Sequence, residues 1–348
     1  MSECYDLKYG VFSKFAPDGY DLIIDATASR TVSHVIETEL NSVRDAPPIV
    51  GLSVSARAEH GSAIVRQPSF PGGPIDLARR AKLKSLATPE TKVFASAFWP
   101  KREDISLFQP EPGCSDPTFV GSAIDMAYHS SALMTLVIER LKTLKENQAS
   151  VDFVSKPTVS QASVTAHSSF LFCDVSLSIE KRFGYHVLIT DSAKEQLITQ
   201  IKKSARELAP GIETGGLMFG EIDDSTRSVW LDAVTGPPPD SEASEEKFLC
   251  GIEGTHELAA VQKERSDGSS SFIGIWHTHP VSQPEPSKDD LNAMAELLLN
   301  QEQPPRHVIM LIIGHAATSP EHVYYLYRRN EFMRVVMSYK GQLKQDDG

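Results

Sequence analysis

The chain has 348 residues, about twice the length of a typical single domain, so its length predicts two domains. Hydrophobic residues make up 41% and charged residues 23%, the profile of an ordinary globular protein. The 34 Lys and Arg against 46 Asp and Glu give a net charge of −12. This balance argues against a nucleic-acid-binding surface, because such a surface needs clustered cations to neutralise phosphates.

The cysteines are widely spaced and include no Cys-x-x-Cys pair; they are Cys4, Cys114, Cys173 and Cys250. We interpret them as reduced thiols rather than as a disulfide framework. No N-terminal apolar run resembles a signal peptide, and no stretch approaches the ~18 apolar residues of a membrane span. The sequence therefore predicts a cytoplasmic protein with no nucleic-acid partner and no membrane partner.

The first half alternates short apolar runs with helical patterns. Strands are predicted at 21–26, 49–54 and 62–65, and helices at 32–40 and 123–144. Such alternation favours an α/β layer with parallel strands. A mostly polar stretch rich in Ser and Gln follows, which is typical of a linker. The predicted plan is a first domain over 1–147, a linker over 148–177 and a second domain over 178–340.

The second half has the pattern of one compact α/β domain. Strands are predicted at 185–189, 216–222, 229–234, 272–276, 308–313 and 323–328. Helices are predicted at 192–208, 255–263 and 288–299.

A pair of histidines, His277 and His279, follows directly on one of these strands. Residues i and i+2 of a strand lie on the same face, so both imidazoles can point at one ion. Seven residues later, three of them proline, Ser287 and Asp290 stand where a helix begins. A Pro-rich bend can return that helix to the strand end and supply Asp290 as a third ligand. Two imidazoles and a carboxylate leave a fourth tetrahedral position for water, the pattern of a catalytic zinc site.

Such a site needs a proton acceptor to make the water nucleophilic. Glu213 is the best candidate, because it opens a strand beside two glycines where a substrate backbone can approach closely. Ser287 could donate a hydrogen bond to the oxyanion of a tetrahedral intermediate.

Each of these features has an ordinary explanation when taken singly. A His-x-His pair on a strand is more often a surface or core pair, Ser-x-x-Asp is often a helix cap, and Glu before Gly-Gly is often a turn. Their conjunction should arise by chance in roughly one chain in a thousand.

The combination resembles the JAMM motif of the JAB/MPN metalloproteases, a Glu followed by His-[Ser/Thr]-His, seven residues and Ser-x-x-Asp. The order of elements over 183–335, and the stretch 213–220, are similar to the same cytidine-deaminase-like α/β fold. The resemblance implies that zinc is bound by His277, His279 and Asp290. It implies that Glu213 is the general acid/base and that Ser287 stabilises the intermediate.

The same resemblance implies the reaction and the partners. The family hydrolyses isopeptide or peptide bonds after the C-terminal tail of ubiquitin or a ubiquitin-like protein. A conjugating or activating enzyme of the same pathway is a further expected partner.

Residues 18–143 resemble the latter part of a ThiF-like domain, the adenylating fold of ubiquitin-activating enzymes. The resemblance rests on 20–27, 48–65 and 113–122. No Gly-rich phosphate loop precedes the first strand, and Ala28-Ser29 stand where the family has Asp-Asn to hold magnesium. The expected fold is thus a partial, non-adenylating ThiF-like Rossmann-type layer followed by a JAB/MPN domain. Cys114 is either a loop cysteine or a thioester nucleophile.

Two main functions follow from these patterns. The first is a zinc isopeptidase that trims or releases a ubiquitin-like protein. The alternative is a non-catalytic scaffold that binds such a protein without cutting it. The complete set of Glu, His, His, Ser and Asp favours the enzyme. An adenylyltransferase fragment is a third reading, which the missing phosphate loop opposes.

Overall fold

The computed structural model describes residues 20–40, 46–101, 120–157, 167–173, 175–280, 282–300, 304–315 and 320–333. The chain divides into two compact units, Met1–Cys173 and Asp174–Gly348. Cys4 and Cys114 lie outside the described residues.

The first unit is a sheet with helices. Its strands are β1 (Ile23–Asp25), β2 (Ile49–Val54), β3 (His60–Arg66), β4 (Ala149–Ser155) and β5 (His167–Phe172). Its helices are α1 (Arg30–Leu40), α2 (Pro74–Leu86), α3 (Lys92–Phe98) and α4 (Ala123–Thr143). Among the described residues the five strands are joined in chain order. Helix α4 buries Leu133 and Val137 in a cluster with apolar residues of β2, β3 and β4.

The sequence predicted a layer of parallel strands, but only one pair of described strands in this unit is parallel. β1 and β2 are parallel, whereas β2 with β3, β3 with β4, and β4 with β5 are antiparallel. A turn of five residues, 55–59, joins β2 to β3, and so short a connection permits only an antiparallel neighbour. The described part of this unit is therefore a mixed sheet, and the expected Rossmann-type layer is not confirmed.

The linker expected at 148–177 is also corrected, because strands occupy most of its described residues. β4 is buried along its whole length and lies inside the first sheet. The polar residues that suggested a linker are satisfied in the fold: Asp152 accepts hydrogen bonds from the Arg140 guanidinium, at 2.8 Å from Nη2, and from Ser150. From the sequence alone, a charged residue that is buried with a partner cannot be told apart from one that is exposed to solvent.

The second unit is built on a larger sheet. Its strands are β6 (Val175–Ile179), β7 (His186–Thr190), β8 (Gly215–Asp223), β9 (Ser228–Val234), β12 (Ser271–His279), β13 (His307–His315) and β14 (Pro320–Arg328). A small separate ribbon pairs β10 (Glu242–Ala243) with β11 (Phe248–Leu249). The helices are α5 (Asp191–Glu207), α6 (Thr255–Arg265) and α7 (Lys288–Leu299). The order across the sheet is β14-β13-β12-β8-β9-β7-β6.

The central strand β12 divides two apolar clusters. Trp276 packs with Ala193 and Leu197 of α5 on one face. Ile275 packs with Met294 and Leu298 of α7 on the other. The strand is irregular between Phe272 and Gly274. From Ile275 to His279 it alternates regularly, which directs every second residue of this end towards α7.

Helix α7 is the crossover between β12 and β13, which are parallel. Met294 and Leu298 are fully buried and fix the helix on the sheet. The start of α7 is thereby returned to the end of β12. No helix in the described ranges is both long enough and apolar enough to span a membrane.

Leu298→Ala is expected to lower the free energy of unfolding by about 2–5 kcal/mol, because it opens a cavity beneath α7. Leu291→Ala is the matched control on the same helix. Leu291 is 40% exposed, so its truncation should cost less than about 1 kcal/mol. Urea denaturation measures both, and equal costs would contradict this packing of α7.

Candidate functional site

His277 and His279 lie at the end of β12 and project from the face that meets α7. They are buried, with 1% and 6% of their surface exposed. Their Nε2 atoms are 3.0 Å apart and their ring centroids are 4.8 Å apart. The structure therefore brings both imidazoles to one point, as the i, i+2 spacing predicts. It also carries β12 through His279, whereas the sequence prediction ended the strand at Trp276.

The intervening residue, Thr278, fixes the neighbouring chain segment from the opposite face. Its hydroxyl accepts a hydrogen bond from the Thr214 amide at 3.0 Å, and its amide donates to the Thr214 carbonyl at 2.8 Å. The Glu213 amide donates to the Ser244 carbonyl at 2.8 Å. These bonds hold the backbone on both sides of the Glu213 side chain.

Asp290 reaches the histidines from the first turn of α7. Its Oδ1 is 3.2 Å from His277 Nε2, and its Oδ2 is 3.8 Å from His279 Nε2. Ser287 caps this helix through a capping box: its hydroxyl donates to Asp290 Oδ2 at 2.7 Å and accepts from the Asp290 amide. The hydroxyl proton of Ser287 is thus committed to Asp290. Ser287 positions that carboxylate, and a bond to an oxyanion would require its proton to turn away.

Glu213 completes the cluster from the segment before β8. Its Oε1 is 3.8 Å from His279 Nε2, and its side chain is buried. The glycines that follow are required by the sheet rather than by a substrate: a Cβ on Gly215 would lie 2.4 Å from the Trp276 carbonyl, and one on Gly216 would lie 2.2 Å from the Thr235 carbonyl. This corrects the expectation that the glycines leave room for a substrate backbone.

The tautomer of His279 follows from its second ring nitrogen. Nδ1 lies 3.0 Å from the Gln283 carbonyl, which can only accept a hydrogen bond, so Nδ1 carries the proton. In the neutral ring the Nε2 lone pair then points towards His277 and the carboxylates. The Tyr325 hydroxyl donates to the Pro284 carbonyl at 2.7 Å and holds the same bend in place.

The pKa values of Glu213, His279 and Asp290 are shifted from those of free side chains. Burial raises the pKa of Glu213 to about 7, and Asp290 acts in the same direction, whereas His277 opposes the shift. Burial also lowers the pKa of His279. For Asp290, burial works in the upward direction, but the hydrogen bonds from His277 and Ser287 prevail and lower its pKa to about 2. Asp290 is the fixed anion of the cluster at neutral pH.

The donor set fits a divalent cation such as zinc. Glu213, His277 and His279 offer ligand atoms that all lie within 4.8 Å of one another, and Asp290 contacts both imidazoles. Imidazole nitrogen with carboxylate oxygen is the usual ligand set of catalytic zinc. A lone pair of His279 aimed at a second imidazole nitrogen is unfavourable without a proton or a cation between them. A catalytic set of two imidazoles and one carboxylate would use only one of the two carboxylates in the cluster.

The five predicted site residues are therefore gathered in one place. Sequence reasoning missed the Gln283 carbonyl and Tyr325, which orient His279 and its bend. Neither leaves a mark in the sequence, because one contact is made by the backbone and the other comes from a distant strand.

Comparisons with known proteins bear on the second unit. Residues 194–327 match the family described as prokaryotic homologs of the JAB domain. A protein named CD-NTase/cGAS isopeptidase from Enterobacter hormaechei is 29% identical over 141 residues, which is 40% of this chain and 73% of that protein. One of the same name from Vibrio cholerae serotype O1 is 25% identical over 146 residues, 41% of this chain and 86% of that protein.

A solved structure is also similar to part of the chain, the solution structure of protein DSY2949 from Desulfitobacterium hafniense. The identity is 21%, the coverage is 41% of this chain and 84% of that chain, and the TM-score is 0.29. The family match and the two relatives support the JAB part of the sequence interpretation. None of these findings shows a ThiF-like domain.

Ser287→Ala should remove the cap of α7 and release Asp290. We expect a loss of roughly 1 kcal/mol in the free energy of unfolding and a zinc affinity about 10–100-fold weaker. Ser287→Thr keeps the hydroxyl and should retain both properties. Chelator competition measures the affinity, and thermal unfolding measures the stability.

Thr190→Ala is the control, because Thr190 caps α5 with a hydrogen bond from the Ala193 amide at 3.1 Å. It should lose comparable stability without any change in zinc affinity. An unchanged zinc affinity in Ser287→Ala would contradict the positioning of Asp290 by Ser287.

Proposed function

We propose that the second unit is a zinc-dependent isopeptidase or peptidase that cuts at the C-terminal tail of a ubiquitin-like protein. The observation that carries the proposal is the convergence of two imidazoles and two carboxylates of unequal charge in one buried cluster. The Nε2 lone pair of neutral His279 points at the His277 ring nitrogen with two carboxylates beside it, an arrangement that a bound cation would stabilise.

By this proposal His277, His279 and Asp290 hold the metal. Asp290 suits this role because its two oxygens address both imidazoles and because it remains ionised. A bound zinc ion would supply a water of lowered pKa, roughly 7, and would polarise the scissile carbonyl.

Glu213 is the proposed general base and acid. It stands farther from the imidazoles than Asp290 Oδ1 does, and its pKa lies close to neutrality. A carboxylate with such a pKa can take a proton from the attacking water and return it to the leaving amine. Protonation of that amine is what allows it to leave, so the same group serves both steps.

Ser287 acts, in this proposal, through Asp290. A contact with the oxyanion, the role that the family resemblance implies, remains open to the hydroxyl once a substrate is bound, because its proton can rotate. The two roles are separable. Loss of the contact with Asp290 weakens metal binding, whereas loss of the contact with the oxyanion lowers kcat while the metal stays bound.

The substrate class rests on the relatives. Two of them carry the name isopeptidase together with CD-NTase/cGAS, and a JAB-family match covers 194–327. An isopeptide bond joins a C-terminal carboxyl to a lysine amine. We therefore propose that the acyl side is a ubiquitin-like tail. A CD-NTase joined to such a tail is the first conjugate to test.

His277→Ala and Asp290→Ala should each lose the metal, since two remaining ligands hold zinc poorly. Metal analysis of the purified full chain should show one zinc per chain before the substitution and close to none after it. Matched controls are His256→Ala and Asp289→Ala, both exposed, of which Asp289 pairs with Lys247 at 3.3 Å. Full zinc occupancy in His277→Ala would overturn the ligand assignment.

Glu213→Gln should keep the zinc and the fold but lower kcat by about 10²–10⁴-fold, because an amide cannot accept the water's proton. The measurement is cleavage of a ubiquitin-like protein fused through its tail to a reporter. Glu253→Gln, at an exposed position, is the control and should cleave normally.

Two outcomes would count against this assignment. Cleavage by Glu213→Gln at the unsubstituted rate would exclude Glu213 as the base. Zinc binding with tight capture of the fusion but no cleavage by the unsubstituted chain would favour the non-catalytic scaffold.

A further inference from the structure

The second unit contains a cavity that the proposed hydrolysis does not use. Its volume is about 710 Å³, within the range of small-ligand sites. Its walls come from turns and strand termini at one end of the sheet. The lining residues are Phe183, Tyr185, Asp224, Arg227, Arg306, His307, Arg328, Arg329 and Asn330.

This cavity lies at the opposite end of the sheet from the histidines. His307 and Arg328 face each other across β13 and β14 at the cavity. His279 is level with Gly314, seven residues farther along β13. At about 3.3 Å per residue the two sites are roughly 20 Å apart. A ligand in the cavity would therefore not touch the scissile bond.

The cavity carries a surplus of positive charge in a chain of net charge −12. Four arginines line it, and none of them forms a salt bridge within the described ranges. The one carboxylate in its wall, Asp224, is already engaged: it accepts from the Tyr185 hydroxyl at 2.8 Å and lies 3.3 Å from His307 Nε2. The arginines thus lack an anion.

Arg328 is fixed in place and still has an unused donor. Its guanidinium carbon is 3.9 Å from the Phe183 ring centroid, and Nη2 donates to the Tyr185 hydroxyl oxygen at 3.1 Å. Its Nε is buried and has no hydrogen-bond partner among the described residues. A buried donor without an acceptor is unfavourable, so the protein alone does not satisfy this guanidinium completely.

Arg227 is held beside the same aromatic ring. Its guanidinium carbon is 5.7 Å from the Tyr185 ring centroid, and that of Arg328 is 5.6 Å from it. Arg227 also donates to the Phe183 carbonyl. The two guanidinium groups cannot be farther apart than the sum of those ring distances, so they form a pair of cations around one ring of the cavity wall. Cations ordered by stacking lose little entropy when an anion binds.

We propose that this cavity binds a small phosphate-bearing molecule with at least two phosphoryl groups. Guanidinium forks bind phosphate oxygens in pairs, and each phosphoryl group supplies several strong acceptors. Four arginines without a carboxylate partner among the described residues call for a ligand of several negative charges.

The test is isothermal titration calorimetry of the full chain with sodium pyrophosphate, at low and high salt. Binding should weaken with salt, because charge attraction drives it. Arg306→Gln and Arg329→Gln should each weaken it about tenfold or more. Arg306 is exposed and its side chain supports no described contact, so its replacement should leave the fold intact. Arg206→Gln, exposed on α5, is the matched control for the loss of one charge and should bind normally.

Several outcomes would overturn the proposal. One is absence of pyrophosphate binding to the unsubstituted chain. A second is equal binding by all three variants, which would place the anion elsewhere, for example on a metal held by the histidines. A third is tighter binding of citrate or of a poly-Glu peptide than of pyrophosphate, which would identify a carboxylate ligand instead.

Discussion

The alternation of side chains along β12 is the constraint on which the rest of the second unit depends. Ile275, His277 and His279 face α7, while Trp276 faces α5 and donates from its indole to the Thr235 carbonyl at 2.9 Å. A slip of one residue would bury the indole in the polar cluster and turn both imidazoles into the opposite core. The apolar clusters on the two faces therefore hold the register that brings the imidazoles together.

The polar cluster of His277, His279, Glu213 and Asp290 in turn requires the surrounding chain to orient each of its polar groups. Two imidazole nitrogens at 3.0 Å, with Asp290 and Glu213 close by, need a proton or a cation among them because water is largely excluded. The bend before α7 sets the tautomer through the Gln283 carbonyl. The cap by Ser287 sets the angle of the carboxylate. Backbone carbonyls and the hydroxyls of Ser287, Thr278 and Tyr325 together orient this site.

The sheet separates two kinds of electrostatics at its two ends. At one end, carboxylates face imidazoles and the net environment attracts a cation. At the other, Arg227 and Arg328 surround Tyr185 with little negative charge to balance them. Strands of nine residues keep these ends roughly 20 Å apart, so each can bind its ligand with little direct interaction. A coupling between them would have to pass through β13 and β14.

Local patterns in the sequence were sufficient for much of this protein. Most strands and helices of the second half, including α7 at Lys288–Leu299, follow from apolar periodicity and capping residues, which act within a few neighbours. The strands β6, β10 and β11 were not predicted. The spacing of His277 and His279 defines their common face for the same reason. The JAB resemblance was carried by these residues, and the family match over 194–327 supports it.

Tertiary structure decided the features that depend on contacts between residues far apart in the sequence. The polar residues on either side of the short apolar run 151–154 predicted a linker, yet Asp152 is paired with Arg140 inside a sheet, and no local pattern reveals such a partner. The antiparallel order of the first sheet, the tautomer of His279 and the commitment of the Ser287 proton to Asp290 were also beyond the sequence. The gathering of Arg227, Arg306 and Arg328 belongs to the same group, since these residues lie far apart along the chain. The sequence determines which groups are present and how neighbours alternate, whereas contacts between segments arise only when burial of the two apolar faces sets the register of the strands.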